Sequence, residues 1–210
     1  MRKCIDMGEG RKIIINDKDT LKPDGTLEIP DIGLGEAYLG KASYVVYDEE
    51  DIDDDMLKLV CARKYNEPLV IARTERFIIR EMTVEDLPHL YELYQTLSDC
   101  PYVEQLYEYE DEKAFTIKYI ENMYGFFGYG LWLVFDKKTG ELVARAGVEN
   151  RSIDGQNCQE LGYLVKKSWQ GKHVAWEVMN HIVDIAMDRF GLEELYICTC
   201  LLYTSDAADE

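Results

Sequence analysis

The chemistry-bearing residues of this chain are concentrated between Glu160 and Ala175, which run Glu160-Leu161-Gly162-Tyr163-Leu164-Val165-Lys166-Lys167-Ser168-Trp169-Gln170-Gly171-Lys172-His173-Val174-Ala175. A mostly apolar run ends at Val165, a short polar turn follows, and from Val174 apolar residues recur at helical spacing. The stretch therefore reads as strand, loop and helix start. A helix start is an anion site, because its first-turn N–H groups lack partners within the helix and the dipole places about half a positive charge there. A phosphate is then held by main-chain donors with little side-chain help. Lys166, Lys167 and Lys172 add positive charge beside that site; the competing reading is solvated lysines on a loop.

The elements that must position this loop follow from periodicity. Arg76-Phe77-Ile78-Ile79-Arg80-Glu81 alternates as a strand, and Thr83-Val84-Glu85-Asp86 is a capping-box-like helix start with Leu87, Leu90, Tyr91 and Tyr94 behind it. A loop at Ser98-Asp99-Cys100-Pro101 breaks that helix. A second helix is predicted from Asp111 to Tyr124, stopping at Gly125, with Phe115, Tyr119, Ile120 and Met123 as its core stripe. Glu108, Glu110, Asp111 and Glu112 load its start with negative charge, a solvated capping cluster or an attractor for an ammonium.

Gly128 to Phe135 is apolar on both alternating sets, a strand covered on both faces. Lys138-Thr139-Gly140 turns it into Leu142 to Val148, and Asp154-Gly155 turns that into Cys158 to Val165. A helix from Lys172 to Arg189 follows, with Ala175, Met179, Ile182 and Ala186 on its buried face, Val178 and Ile185 flanking, and Gly191 as its stop. His181 on that helix and His89 on the first both read as exposed. Leu195 to Thr199 is the last strand, reached by a helix crossover and so parallel to its neighbour.

This order of elements, together with Gln170-Gly171-Lys172-His173-Val174-Ala175, resembles the GNAT N-acetyltransferases, whose signature is Gln/Arg, any, any, Gly, any, Gly/Ala. Gln170 and Ala175 match its ends; His173 stands where the family usually has glycine, and its Cβ predicts weakened coenzyme affinity more than a different fold. The resemblance runs from Glu75 to Thr199 and is similar above all to the group acetylating ribosomal-protein N-termini. It implies an α/β (α+β) fold, with a mixed, mostly antiparallel sheet flanked by helices. It also implies acetyl-CoA as cosubstrate and direct acetyl transfer to a primary amine, on a protein N-terminus, a polyamine or an antibiotic.

By that resemblance, the amides of Leu164 and Val165 would hydrogen-bond the pantetheine arm, and those of Gly171, Lys172, His173, Val174 and Ala175 would cradle the pyrophosphate, with Gln170 adding a side-chain contact. The attacking amine must be neutral. An ammonium of pKa about 10.4 needs roughly 4 to 5 kcal/mol to deprotonate at pH 7, whereas an α-amino group near 7.7 needs about 1. Glu160, on the strand beside the expected cleft, is the candidate catalytic base; alternatively it lies on the outer face, paired with a surface lysine. An oxyanion donor would be the Leu164 amide. The family's leaving-group acid is a tyrosine on a later helix, a role that Tyr203 is not given. The competing class is a non-catalytic acyl-CoA-binding or interaction module, which His173 and the N-terminal annex favour.

Composition bounds these readings. The chain has 210 residues, 47% of them apolar, enough for one core plus an annex. Its formal charge of −18 argues against nucleic acid as a partner and suits a cationic one. No run of about eighteen apolar residues and no signal-like N-terminus are present, so no membrane span and a cytoplasmic location are expected. The six cysteines show no metal spacing and are expected as reduced thiols, with no metal site. Nothing in the sequence sets an oligomeric state.

The expected division is an annex at residues 1–73, the acetyltransferase-like domain at 74–199 and a tail at 200–210. In the annex, Lys12 to Ile15 and Ala42 to Tyr47 read as strands, Lys22-Pro23-Asp24-Gly25 as a turn, Asp51 to Lys64 as a helix and Leu69-Val70-Ile71 as a closing strand. Ile13 to Thr20 resembles the nucleophile loop of haloacid dehalogenase phosphatases, but its threonine comes one residue early. Asp48 to Asp55 lacks the ligand spacing of a calcium loop. Cys200 to Glu210 resembles a translated sequencing-library adapter, which implies a gene cut after a strand, and a chain whose missing C-terminal part leaves it inactive on its own. Without Asp206, Asp209 and Glu210 the charge is still −15.

Overall fold

The structure, a computed structural model, describes residues 2–17, 20–153 and 155–198. The adapter-like tail, Thr199 and Asp154 of the expected turn lie outside those residues. The chain divides between Leu69 and Val70 into two compact units.

In the first unit, β1 (Arg2–Gly8), β2 (Arg11–Asn16), the short hairpin β3 (Thr20–Leu21) and β4 (Leu27–Glu28), β5 (Ile32–Leu34), β6 (Tyr44–Val46) and helix α1 (Asp54–Tyr65) follow in order. The main sheet runs β1-β2-β5-β6, with β1 antiparallel to β2 and the other pairs parallel. The hairpin turns at Gly25, φ +82°, where the Pro-Asp-Gly spacing placed it. Helix α1 starts later than expected. Its cap is Asp53, whose carboxylate accepts from the Met56 amide at 2.7 Å, so the acidic run before it is capping and first-turn charge. Val60 and Cys61 bury against Ile13, Ile15 and Ile32, with Met56 and Leu57 at the margin.

The second unit begins with a correction. Val70 and Ile71, expected to close the annex, belong to β7 (Val70–Arg73), which pairs antiparallel with β8 (Phe77–Arg80). Helix α2 (Leu87–Gln95), α3 (Tyr109–Tyr119), β9 (Leu131–Asp136), β10 (Leu142–Ile153), β11 (Gln156–Val165) and α4 (Val174–Asp188) complete it. The sheet is antiparallel throughout its named strands, in the order β11-β10-β9-β8-β7, with Tyr196 adding a parallel bridge at Glu160 on the outer edge of β11. This is the mixed, mostly antiparallel sheet with flanking helices that the sequence predicts.

One start signal holds and two boundaries move, each for a physical reason. The capping box forms as read: Thr83 N and Oγ1 donate to Asp86 at 2.8 and 3.0 Å, and Arg80 clamps the same carboxylate at 2.6 and 2.7 Å. Helix α3 does not stop at Gly125. It continues as a π-helical segment, Ile120–Phe127, and ends at Gly128, φ +78°. Winding at five residues per hydrogen bond brings Tyr119 and Tyr124 onto one face, their rings 5.6 Å apart. Finally, α4 starts at Val174, because Gly171 and His173 both hold positive φ, +72° and +57°, which no right-handed helix contains. Its buried stripe is Val174, Val178, Ile182 and Ala186, so Val178 sits at its centre and the face is turned from the one expected. His181 is part-buried, its Nδ1 2.9 Å from the Glu177 carbonyl, while His89 is exposed.

Candidate active site

Strand alternation decides what faces the cleft. The register places Arg145 opposite Leu164, Gly147 opposite Gly162 and Glu149 opposite Glu160, and these six share one sheet face. At the glycine pair the chain entering β9 packs closely on that face, with Leu131 over Gly162. Gly147 has no freedom to be anything else, since a Cβ there would lie 2.0 Å from the Gly130 carbonyl oxygen. Helices α2 and α3 cover the face through Tyr94 and Tyr119, which both engage Arg145. On the opposite face, Trp132 stacks on Phe190 just beyond α4, the rings 6.3 Å apart.

The same face forms the floor of a cleft of about 960 Å³, lined among others by Tyr94, Tyr119, Arg145, Glu149, Arg151 and Glu160. Glu160 lies on this cleft, and its Oε2 is 2.9 Å from Arg151 Nε, an arginine on β10 and not the surface lysine of the alternative reading. Tyr119 is the hub. Its hydroxyl accepts from the Leu131 amide at 2.7 Å and donates to Glu149 Oε1 at 3.1 Å, while the Tyr124 hydroxyl donates to the Leu131 carbonyl at 2.5 Å. Burial raises both phenol pKa values well above the ordinary tyrosine range, so both rings stay neutral donors.

A second cavity of about 480 Å³ is lined by Leu164, Val165, Gln170, Gly171, His173, Val174 and Ala175, together with Val103, Tyr163 and Trp176. Val103, Tyr163 and Leu164 line both cavities, so the two adjoin at the end of β11. Of the cofactor residues expected from the sequence only Lys172 is outside this lining. Its carbonyl accepts from Arg76 Nη1 at 3.0 Å and its ammonium lies 5.0 Å from the Trp169 ring.

The donors expected at the helix start are free: the amides of Gly171, Lys172, His173, Val174 and Ala175 have no hydrogen-bond partner among the described residues. Successive positive-φ turns aim such amides into a concavity suited to an anion. Glu177 braces the loop through Thr74 Oγ1 at 2.5 Å, Arg76 N at 3.0 Å and Arg76 Nε at 2.6 Å. Burial alone would raise the Glu177 pKa, but these three donors outweigh it and hold the carboxyl below its ordinary range.

Two expectations shift at the strand end. The Lys166 amide donates to the Val143 carbonyl, so by alternation the N–H of Leu164 also points at β10 and is spent in the ladder. At the other end of β11, Leu161 N and Gln159 O bond Tyr196, which puts the main-chain groups of the odd-numbered residues on the open edge. Tyr163 and Val165 therefore present the free strand-edge amides, and Gln170 Nε2 donates to the Val165 carbonyl at 3.1 Å, tying loop to strand. The lysine cluster is also thinner than its sequence suggests, for Lys166 pairs with Glu141 at 2.8 Å and Lys167 with Asp99.

Sequence reading missed Arg145, Glu149 and Arg151. The available signal was on β10 itself: Arg145, Glu149 and Arg151 recur on one alternating set while Ala144, Ala146 and Val148 fill the other. Glu112 was read as one of a solvated acidic cluster; it is 3% exposed and accepts from the Tyr107 amide at 3.1 Å.

Among the described residues no group of acidic, histidine and cysteine side chains is placed to hold a metal, and no helix is long and apolar enough to cross a membrane. The five described cysteines are free thiols.

Known proteins agree with this layout. Residues 76–200 match the family described as Acetyltransferase (GNAT) domain. The protein named "Uncharacterized protein YkkB" from Bacillus subtilis (strain 168) is 30% identical over 119 residues, 55% of this chain and 67% of that protein. Among solved structures, the fold is similar to that of a ribosomal-protein-S5-alanine acetyltransferase from Vibrio fischeri, with a TM-score of 0.51 and 14% identity, covering 60% of this chain and 72% of that one. It is equally similar to the RimL ribosomal L7/L12 alpha-N-protein acetyltransferase, with a TM-score of 0.51 and 13% identity, covering 62% and 71%. With a family match over more than half its length, the chain belongs to the GNAT acetyltransferases and carries an acyltransferase domain.

Proposed function

We propose that this protein transfers an acetyl group from acetyl-CoA to a primary amine in the cytoplasm, by direct attack of the amine on the thioester. The observation that carries the reading is the run of unpartnered amides from Gly171 to Ala175, all but Lys172 lining a cavity that adjoins an acidic cleft at Tyr163 and Leu164. A diphosphate suits those donors because positive φ at Gly171 and His173 breaks the helical winding before α4, and Lys172 has no carboxylate partner among the described residues. The pantetheine arm would run along the open edge of β11, bonded by Tyr163 and Val165. Acetyl-CoA supplies the activated acyl group there.

The chain's own residues prepare the amine. Glu160 and Glu149, opposite one another on the cleft floor, attract the ammonium, and Glu160, directly or through a water, takes its proton. The new C–N bond replaces C–S, the second proton of the amine nitrogen passes to the departing sulfur, and coenzyme A leaves as the thiol. A protein N-terminus as acceptor is supported by the fold shared with the ribosomal-protein enzymes; a small amine is supported by a cleft of about 960 Å³.

Thiol release from acetyl-CoA with a panel of amines tests the proposal. Amine-dependent release, with the acetylated amine found by mass spectrometry, is expected. Acetyl-CoA binding without acetylation of any amine would favour the non-catalytic binding module.

A further inference from the structure

Arg145 is 7% exposed and lies on the floor of the acceptor cleft, where its charge is unmatched. Its Nη1 donates to the Tyr94 hydroxyl at 3.0 Å, its guanidinium lies 5.7 Å from the Tyr119 ring centroid, and its buried Nε has no hydrogen-bond partner. Among the described residues no carboxylate pairs with it. Three carboxylates of the cleft lining are engaged elsewhere: Glu160 with Arg151 at 2.9 Å, Glu149 with Tyr119 at 3.1 Å and with Arg151 at 3.7 Å, and Glu112 with the Tyr107 amide.

A guanidinium does not escape the cost of burial by losing its proton. A buried cation without a counter-charge is expensive, and folded chains retain one where an anion completes it. The cleft is thus bipolar, with a cation on its floor and, at its Glu149–Glu160 end, two carboxylates that share Arg151 and so leave one net negative charge. Arg145, Glu149 and Glu160 line one cleft of about 960 Å³, which has room for a molecule that spans both ends.

We infer that the acceptor is an amine that also carries an anionic group, a carboxylate or a phosphate, and that Arg145 holds that group while the glutamates receive the ammonium. The inference rests on the acetyl-transfer reading of the same site. It separates amino-acid-like and phosphorylated amines from simple polyamines, which would place a second cation against Arg145.

The test compares matched amines on the full chain with saturating acetyl-CoA: lysine against cadaverine for the carboxylate, and O-phosphoethanolamine against ethanolamine for the phosphate. In at least one pair the anionic member should have the higher kcat/KM by about 10- to 100-fold, the range of a charge-assisted hydrogen bond. Whichever pair shows the gap identifies the anion. Arg145→Met should bring the ratio near one while leaving acetyl-CoA affinity unchanged by calorimetry. The wild-type ratio does not depend on that variant folding.

Equal kcat/KM within both wild-type pairs, or preference for the uncharged members, would overturn the inference. So would Arg145→Met lowering both members of a pair equally, since the arginine would then serve the reaction and not the acceptor's anion. Failure of acetyl-CoA itself to bind would instead overturn the acetyl-transfer reading on which it stands.

Discussion

His173 offers the most discriminating perturbation of the proposed diphosphate loop, because its backbone, at φ +57° and ψ 24°, is in the left-handed region that glycine adopts freely and other residues do not. Holding a residue with a Cβ there costs on the order of 1 kcal/mol, and a β-branched residue costs about 1–2 kcal/mol more. If the free chain relaxes part of that strain by leaving the binding-competent turn, the apparent Kd is raised by the inverse of the competent fraction. His173→Gly should then tighten acetyl-CoA binding by up to about fivefold. His173→Val should weaken it by about 5- to 30-fold, each 1.4 kcal/mol being a factor of ten.

Calorimetric titration of wild type and the two variants reads this directly, with circular dichroism to confirm that each is folded. The histidine ring is 3 residues from Gln170 in the chain but makes no hydrogen bond among the described residues, so both substitutions act on the backbone and not on a side-chain contact. The reasoning is refuted if glycine and valine at this position bind acetyl-CoA within twofold of each other.

Other perturbations follow from the same geometry. Gly147→Ala should be severely destabilising, by about 3 kcal/mol or more, because the added methyl meets the backbone of Gly130 and Leu131; a thermal melt within a few degrees of wild type would contradict this. Glu160→Gln should lower kcat about 10²- to 10⁴-fold for lysine-like amines yet only slightly for α-amines, and an equal loss for both classes would remove it as the base. Asp86 and Glu177 have carboxyl pKa values held below their ordinary 3.8 and 4.5 despite burial, by Arg80 and Thr83 for the first and by Thr74 and Arg76 for the second. Their contribution to stability is present above those ordinary values and is lost as pH falls through the lower folded-state ones. The melting temperature should therefore fall below about pH 4.5, less steeply in Glu177→Gln; a rise on acidification from 4.5 to 3 would show the sign to be wrong.

Much of the fold was legible because its elements carry periodicity that tertiary contacts did not override. The strand, loop and helix around Gly171 came from apolar runs broken by a polar turn, and the Thr83 capping box from four residues. What escaped reading depended on partners distant in sequence. Val70 and Ile71 look the same whether they close the first unit or open the second sheet, and only pairing with β8 decides. Whether Leu164 or Val165 keeps a free amide depends on the register against β10, which no local pattern reveals. The π-helical extension past Gly125 follows from Tyr119 and Tyr124 both satisfying Leu131, a demand set by β9. Arg145 is hidden for the same reason: one arginine in a strand is ordinary until the helices above it are seen to bury it.

The central claim is that main-chain donors from Gly171 to Ala175 grip the diphosphate of acetyl-CoA. Parallel calorimetric titrations with acetyl-CoA and with S-acetylpantetheine, which keeps the thioester arm and lacks the diphosphate, test it most directly. The account predicts that acetyl-CoA binds at least about 30-fold more tightly, two charge-assisted hydrogen bonds of about 1 kcal/mol or more each being enough. Equal affinity for the two, or no uptake of acetyl-CoA, would contradict it.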